Sequence, residues 1–377
     1  MLAILMRGFH VGTWDSLIDG VLHSYVGYVQ VHKQGYWNEK SLDYSFEMTD
    51  NIRIASKCDK NIKAFIPRIE SFALASFGTK TKGVMVSGVD PLAENTFSKL
   101  SGRMVQGRYL SDTSKGIILG ERLARFLKVK ANDTLILISQ GYQGVSANGL
   151  FVINGVVKLP APEFDNMTIF MSLSQAQEFY SAPNRLTSIV VDVSNPIKFE
   201  KTARKLRKAL PDSEYEVMTW KEMLKELYQM YISDNAGGLI MLSILYLIVG
   251  FGVFGTVLMM TAERRREFGV MIALGMRRGR IVRMVAMEMV YIGFIGLLAG
   301  LVFSIPIVAY YHFYPIQLTG DYAKTMEVYG MEASIPMAWH ADYIINQAIA
   351  VGILVVVAIC YPILALSKLD LVKAIRR

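Results

Sequence analysis

Three long apolar runs dominate the second half of the chain. They cover about 237–262, 284–311 and 343–367; the first and third carry no charge and the second carries only Glu288. Each run is long enough to cross about 30 Å of hydrocarbon as an α-helix. The pattern predicts three membrane-spanning helices.

The chain before residue 219 has a different pattern, with mixed charge and short apolar runs that are rich in β-branched and aromatic residues. Gly, Asn or Pro follows many of these runs, which is typical of strands. The predicted strands lie at 25–32, 84–89, 116–120, 133–139, 150–157, 168–172 and 187–193. Predicted helices lie at 120–129, at 173–181 with Ser174 as N-cap, and at 196–210. This mixture predicts an α+β domain over 24–218, of one lobe or two.

Two amphipathic segments flank this domain. Apolar residues recur at spacings of three and four over 11–25 and again over 220–231, which predicts a helix at each end. The two helices either pack together as a stalk or each cap the domain core. The six apolar residues before Arg7 predict a truncated first membrane helix, so 1–23 is a truncated helix plus stalk and 219–236 is the second stalk helix.

The distribution of charge predicts the topology. Lys and Arg in short loops mark the cytoplasmic side. The loop 263–283 holds seven arginines and is net +5, the tail 368–377 is net +3, and the connection 313–342 is net −3. The loop and tail are therefore predicted to be cytoplasmic, and the connection and the whole domain before Asn235 extracytoplasmic. The chain is predicted to be a multi-pass protein of the cell (inner) membrane, with its large domain on the periplasmic side.

Composition agrees with a membrane protein and excludes several other classes. Of the 377 residues 52% are apolar and 19% are charged, which is too apolar for an ordinary soluble protein. The formal net charge of +8 is not gathered with aromatic residues into a stacking surface, so no nucleic-acid binding is predicted. Cys58 lies in the α+β domain and Cys360 in the last apolar run, which leaves no disulfide framework or metal cluster.

The motifs of catalysis are missing from the sequence. There is no GxxxxGK[ST] loop, HExxH, CxxC or GxSxG, and the five histidines have no ligand spacing. No catalytic residue and no metal site is predicted, so the chain is not expected to be an enzyme. Glu288, about one turn inside the inner interface, is expected to pair with a nearby arginine.

The segment AERRREFGVMIALGMRRGRIVRM resembles the FtsX-like permease family of ABC transporters, which includes the lipoprotein-releasing permeases and the macrolide exporter MacB. The closing LSKLDLVKAIR is similar to the family's last element, and GYVQVHKQGYW and GRYLSDTSKGIILGERLARFLKVKANDTLILIS resemble its periplasmic core domain. The matched positions of the first motif are Glu263, Arg264, Arg265, Arg266, Glu267, Phe268, Gly269, Ala273, Leu274, Gly275 and Arg280.

The resemblance implies a coupling helix that docks in a groove of a separate ATPase subunit. The positions from Glu263 to Gly275, with Met271 and Ile272 included, form the implied ATPase-coupling loop. Phe268, Met271 and Ile272 lie at i, i+3 and i+4, so they are expected to form the docking face, and Gly275 is expected to end the helix. The alternative is that the arginines only anchor the loop on the positive-inside side.

The implied partners follow from the same resemblance. The chain itself binds no cofactor, since ATP-Mg is held by the ABC ATPase subunit, and a second permease, identical or different, completes the membrane part. The implied cargo is a lipoprotein or another amphiphile, handed on in some family members to a periplasmic chaperone. Residues 237–377 form the permease domain on this interpretation.

Glycines in two of the predicted spans favour close helix packing. They are Gly250, Gly252 and Gly255 in the first span and Gly293, Gly296 and Gly300 in the second. The spacing of Gly296 and Gly300 suits a contact within the subunit or with the second permease equally well. The favoured function is a non-catalytic permease subunit of the mechanotransmission type. The alternative is a scaffold or regulator of an extracytoplasmic partner such as a cell-wall hydrolase.

Overall fold

The computed structural model describes residues 1–111, 115–321, 323 and 334–367. The predicted cytoplasmic tail and most of the acidic connection lie outside the described residues. The chain divides into two compact units. The helical unit contains Met1–Ser16, Met230–Leu318 and the segment from Ser334, and the sheet unit contains Leu17–Gln229 and the segment from Thr319.

Strands and helices alternate through the sheet unit, whereas the helical unit is made almost entirely of helices. The strands are β1 Val29–Lys33, β2 Phe46–Glu47, β3 Ile62–Phe77, β4 Lys80–Val89, β5 Met104–Gly107, β6 Gly116–Gly120, β7 Thr134–Gln140, β8 Ser146–Val157, β9 Thr168–Ser172, β10 Arg185–Leu186, β11 Ser188–Val193, β12 Tyr215–Thr219, β13 Ile316–Gln317 and β14 Ser334–Ile335. The α-helices are α1 Leu2–Val21, α2 Tyr36–Glu39, α3 Asp50–Ala55, α4 Pro91–Ser98, α5 Glu121–Leu127, α6 Pro162–Asp165, α7 Leu173–Phe179, α8 Phe199–Ala209, α9 Trp220–Met223, α10 Lys225–Glu263, α11 Arg265–Ala273, α12 Arg278–Phe313 and α13 Ala341–Ser367.

One lobe of the sheet unit is a closed ring of strands. The pairing runs β3, β4, β9, β6, β8, β7 and back to β3, so each of these strands has two neighbours. The inward side chains form a core with residues of α5 and α7, including Ile69, Val86, Leu119, Leu137 and Ile169, all of them fully buried. Closure of the ring removes free edges that would otherwise pair with other chains.

The second lobe is the part of the same sheet that continues beyond β3. Its order is β12, β1, β11, β3, and its core includes residues of α3 and α8. The 16-residue strand β3 is common to both lobes, because Ile62–Arg68 pairs with β11 whereas Leu74–Ser76 pairs with β7. The sheet unit is therefore a two-lobed α+β fold built on one long strand.

Most of the predicted strands are present, with shifted ends. The predicted strand at 25–32 is wrong in its first half, because Leu22–Val26 is a π-helix and β1 begins at Val29. The predicted N-cap Ser174 is also wrong, since the Ser172 hydroxyl accepts the hydrogen bond from the Gln175 amide instead. β3, β5 and β12 and helix α4 were not predicted from the sequence.

Each of the two flanking segments lies partly in the sheet unit and partly in the helical unit, and it packs within each. In the sheet unit, Leu22 and Tyr25 share a core with Trp220 and Met223. In the helical unit, the Trp14 indole donates a 2.6 Å hydrogen bond to the Asp234 carboxylate. Both predicted arrangements, packing together as a stalk and capping the domain core, are therefore found in different parts of the segments. The predicted single helix over 219–236 is interrupted at Leu224, whose φ of −110° and ψ of 54° separate α9 from α10.

Among the described residues, three helices have the length and hydropathy to cross a membrane. They are α10, α12 and, over Ala341–Leu364, α13. The first two extend past the predicted spans, because α10 starts at Lys225 and α12 starts at Arg278. Most of the predicted second stalk helix and the first membrane span are thus one continuous helix of 39 residues, or about 58 Å at 1.5 Å per residue.

A fully buried histidine in the sheet unit is expected to make the folding stability depend on pH. His32 on β1 is 0% exposed, its Nε2 lies 2.7 Å from Gln30 Oε1, and its Nδ1 has no partner among the described residues. Burial, and then the charge of Lys40, lowers the pKa of His32 to about 3. His32 is therefore neutral in the folded protein at neutral pH.

Acid is expected to destabilise the sheet unit through His32. In the unfolded chain the pKa returns to about 6.5, so the unfolded state binds the proton more tightly and stability falls as the pH drops from about 6.5 towards 3. The loss at pH 5 amounts to about 2 kcal/mol. Urea unfolding of wild type and His32→Gln at pH 7 and pH 5 measures it. The loss of stability between pH 7 and pH 5 should shrink in His32→Gln. It should persist in His23→Gln, because the His23 imidazole is 44% exposed. An equal loss in wild type and both variants would contradict the prediction.

Candidate functional site

The short helix α11 lies between the long helices α10 and α12 in the helical unit. Arg264 separates α11 from α10 with φ and ψ of −86° and 5°. The helix ends as predicted at Gly275, whose φ of +93° suits glycine. The Gly275 amide donates to the Ile272 carbonyl and the Met276 amide to the Met271 carbonyl, both at 3.0 Å. This pair of bonds is a Schellman motif, which satisfies carbonyls at the helix end and turns the chain back.

The predicted docking face of α11 is turned inward and is buried within this chain. Phe268 is 2% exposed, and it shares a core with Val257, Ile281, Val285 and Ile359 from the three long helices. Met271 and Ile272 are partly buried against the same core. The correction has a simple physical reason: the largest apolar side chain of a short amphipathic helix is stabilised most by packing on the helices of its own chain. Gly269 is buried beside Phe268.

The opposite face of α11 is the one that the described residues leave uncovered. Val270 is 45% exposed, Leu274 83% and Met276 38%. The remaining exposed positions of the loop are Glu263, Arg265, Arg266, Glu267, Ala273, Gly275, Arg277, Arg278, Gly279, Arg280 and Arg283. The exposed face therefore combines three apolar side chains with a rim of arginines, which is the composition of a protein-binding surface.

An ion pair ties the start of the loop to α12. Arg264 Nη1 lies 2.7 Å from both carboxylate oxygens of Glu288. The prediction that Glu288 pairs with a nearby arginine is thus confirmed. Arg264 is only half exposed, whereas the other arginines of the loop are exposed.

The predicted packing glycines fall into two groups. An added Cβ at Gly293 would lie 2.6 Å from Val355 Cγ1 on α13, and one at Gly250 would lie 3.4 Å from Leu354 Cδ2 on the same helix. An added Cβ at Gly252, Gly255 or Gly296 would meet no atom of the described residues within 4 Å, and at Gly300 only the Met1 amine at 3.5 Å. The close helix approach predicted at Gly293 is therefore present within the chain, whereas a contact of Gly296 and Gly300 with a second permease stays a prediction.

The sequence analysis missed a second pair of glycines, Gly8 and Gly12 on α1. An added Cβ at Gly12 would lie 2.4 Å from both the Pro336 carbonyl oxygen and the Ala338 amide, and the Gly8 carbonyl accepts a 3.0 Å hydrogen bond from that amide. The four-residue spacing of these glycines was the available signal. They let the backbone before α13 pass directly over α1.

A further polar cluster in the helical unit was also missed. His10 Nε2 lies 2.8 Å from Asp234 Oδ2, the oxygen that also accepts from Trp14, and an Arg7 guanidinium nitrogen donates to Asn235 Oδ1 at 2.7 Å. These bonds join α1 to α10. The pairing could not be read from the sequence, because the partners are more than two hundred residues apart.

The fold and the loop together define a class of protein: a membrane permease with a large extracytoplasmic domain. The MacB-like periplasmic core domain matches residues 1–209, and the FtsX-like permease C-terminal domain matches 239–371. The first match covers more than half of the chain. The chain therefore belongs to the FtsX-like, MacB-like permease family of ABC transporters.

Curated relatives agree with this family. The lipoprotein-releasing system transmembrane protein LolC of Neisseria meningitidis serogroup B is 21% identical over 99% of this chain and 89% of its own length. The protein LolE of the same system in Haemophilus influenzae is 24% identical over 65% of this chain and 60% of its own length. An ABC transporter permease of Mycobacterium tuberculosis is 27% identical over 63% of this chain and 27% of its own length.

Among solved structures, the periplasmic region of MacB from Actinobacillus actinomycetemcomitans is 14% identical, with a TM-score of 0.38, and the match covers 56% of this chain and 97% of that one. The extracellular domain of the transporter YknZ from Gram-positive bacteria is 13% identical with a TM-score of 0.36, and the match covers 51% of this chain and 99% of that domain.

Proposed function

We propose that this chain is the non-catalytic membrane subunit of a mechanotransmission ABC transporter, with α11 as its coupling helix. A separate ATPase that holds ATP-Mg binds the exposed face of α11 on the cytoplasmic side of the inner membrane. A second permease completes the transporter. The cargo is a lipoprotein or another amphiphile, which is moved on the periplasmic side. The names of the LolC and LolE relatives support this choice of cargo.

The observation that carries the proposal is the division of α11 into two faces. Phe268 is held among the three long helices, and Arg264 is held by Glu288, while Val270 and Leu274 on the other side are uncovered. A force applied to the uncovered face is therefore transmitted to α10, α12 and α13, because α11 is packed against all three. Continuous α10 then carries the motion along its whole length towards Lys225.

The exposed face of α11 is expected to hold the ATPase. Replacement of Leu274 by aspartate places a charge among the apolar contacts of that face, and it should weaken ATPase binding at least about tenfold. The full chain is purified from its native membrane in mild detergent, co-purifying proteins are identified by mass spectrometry, and ATP hydrolysis is assayed. Wild type should bring down an ABC ATPase, whereas Leu274→Asp should bring down little or none.

The matched control is Leu92→Asp in the sheet unit, because Leu92 is likewise an exposed leucine, with 74% of its surface accessible. This variant should retain the ATPase. A wild-type preparation with no ATPase and no hydrolysis would overturn the proposal, and it would favour the scaffold or regulator role with an extracytoplasmic partner. Equal recovery of the ATPase with Leu274→Asp would overturn the assignment of the docking face.

A further inference from the structure

A cavity in the sheet unit is lined mainly by lysines. Its volume is about 280 Å³, and its lining residues are Asp59, Lys60, Asn61, Lys198, Lys201 and Lys205. The space is far larger than the roughly 30 Å³ that one water takes up in the liquid. Four ammonium groups face one carboxylate, so the cavity has an excess of positive charge.

One side of the cavity is held rigidly by hydrogen bonds. Asp59 accepts from Lys205 at 2.9 Å and from the Thr202 hydroxyl at 3.1 Å. The Asn61 amide donates to Thr202 Oγ1 at 3.0 Å, and its oxygen accepts from the Asn195 backbone amide at 2.8 Å. These bonds fix Lys205 and neutralise it, and they lower the pKa of Asp59, with the Lys205 hydrogen bond as the largest cause.

The other three lysines are not neutralised. Among the residues that the structure describes, the ammonium groups of Lys60, Lys198 and Lys201 form no ion pair, and all three residues are exposed. Like charges gathered at one cavity repel one another. The arrangement therefore costs free energy in the unliganded protein, and an anion in the cavity would offset that cost.

Two of these lysines lie at the start of α8. Lys198 is the N-cap of α8 and Lys201 lies in its first turn. A helix N-terminus carries partial positive charge, so acidic side chains stabilise it and basic ones do not. Glu200, the acidic residue of that turn, bonds Lys221 at 2.7 Å. A 3₁₀ turn, Pro196–Lys198, precedes α8 and is capped by the Asn195 side chain, which accepts from the Ile197 amide. Lys198 and Lys201 therefore add positive charge close to a helix start that already carries it.

We propose that this cavity binds the phosphate groups of an anionic ligand. Phosphate suits it because lysine ammonium groups are common protein partners of phosphate. The phosphate belongs either to a small soluble anion or to a lipid headgroup. Ile197, beside Lys198, is 91% exposed and offers an apolar contact for the lipid case. The site shares no residue with the exposed face of α11, so it stands independently of the proposed ATPase contact.

The test is phosphate binding by the full chain in phosphatidylcholine nanodiscs. Binding of pyrophosphate, and separately of soluble dihexanoyl-phosphatidylglycerol, is measured by calorimetry for wild type and for the double variant Lys198→Glu with Lys201→Glu. The matched control is Lys130→Glu with Lys158→Glu, since both lysines are exposed residues of the sheet unit outside the cavity. The double variant should fold, because acidic residues suit the first turn of α8; thermal unfolding checks this.

We expect at least about a tenfold loss of pyrophosphate affinity in the cavity variant and less than about a twofold change in the control. No measurable binding to wild type, or an equal loss in both double variants, would overturn the proposal. Ile197→Ser then distinguishes the two sources of phosphate. A loss of the phosphatidylglycerol analogue alone identifies a lipid headgroup, whereas unchanged affinity for both probes identifies a soluble anion.

Discussion

Replacement of Arg68 by methionine is expected to destabilise the sheet unit by about 3–5 kcal/mol. Arg68 is fully buried on β3, and its Nε and Nη2 donate to the two carboxylate oxygens of Glu94 at 2.8 Å each. Its Nη1 also lies 3.5 Å from Glu70 and donates to the Tyr25 carbonyl. Methionine fills much of the same space, but it leaves two buried carboxylates without a cation, and such uncompensated charge is the main cost.

This loss is measured by urea titration of the purified full chain, with proteolysis within the sheet unit as the readout of unfolding. The control is Arg125→Met, which breaks the exposed pair of Arg125 with Glu121 and should change stability by less than about 0.5 kcal/mol. The double variant Arg68→Met with Glu94→Met should be more stable than Arg68→Met alone, since it removes one of the stranded carboxylates. A single-variant loss below about 1 kcal/mol would show that water reaches the carboxylates.

The same cluster has a positional role in the sheet unit. Tyr25 belongs to the π-helix Leu22–Val26, where the chain enters the fold, and Glu94 belongs to α4. Arg68 therefore joins the entering segment, the shared strand β3 and α4 by hydrogen bonds to each. Because the cluster is buried, these three elements are expected to move together, as a unit that transmits force must.

The sequence allowed the three long helices and five of the six strands of the closed ring to be predicted for a clear reason. Long uncharged runs have few alternatives to a spanning helix, and runs such as GIILG and TIFMS are buried on both faces, so their central residues are all apolar. β3 escaped prediction because Pro67, Arg68 and Glu70 interrupt it. Their burial depends on partners such as Glu94 that local pattern does not reveal.

The α11 loop was located from its motif, but its orientation was not. Periodicity showed that Phe268, Met271 and Ile272 share one face, and it could not show whether that face meets another protein or the same chain. The spacing of Gly296 and Gly300 has the same limit, because a GxxxG pattern marks a helix contact without naming the partner. Gly275 was predictable, since a left-handed helix end depends on local backbone sterics.

Replacement of Phe268 by alanine is expected to uncouple the transporter without releasing the ATPase. The change removes a buried ring from the core that joins α11 to the three long helices, and it should cost about 3–5 kcal/mol of packing free energy. The exposed face with Val270 and Leu274 is unaltered, so the ATPase should co-purify within about twofold of wild type. Because α11 then moves without its anchor, ATP-dependent release of lipoprotein from spheroplasts should fall at least about tenfold.

Two variants separate this effect from misfolding. Phe268→Leu retains most of the apolar volume, so it should fold normally and release lipoprotein at an intermediate rate. Phe126→Ala removes an exposed phenylalanine of α5 in the sheet unit, outside the docking face, and should leave release close to wild type. If Phe268→Ala instead loses the ATPase while its thermal unfolding is unchanged, Phe268 must leave the helical core to contact the ATPase. The docking face would then be the one that the sequence periodicity predicts, and the anchor on the long helices would be Arg264 with Glu288 alone.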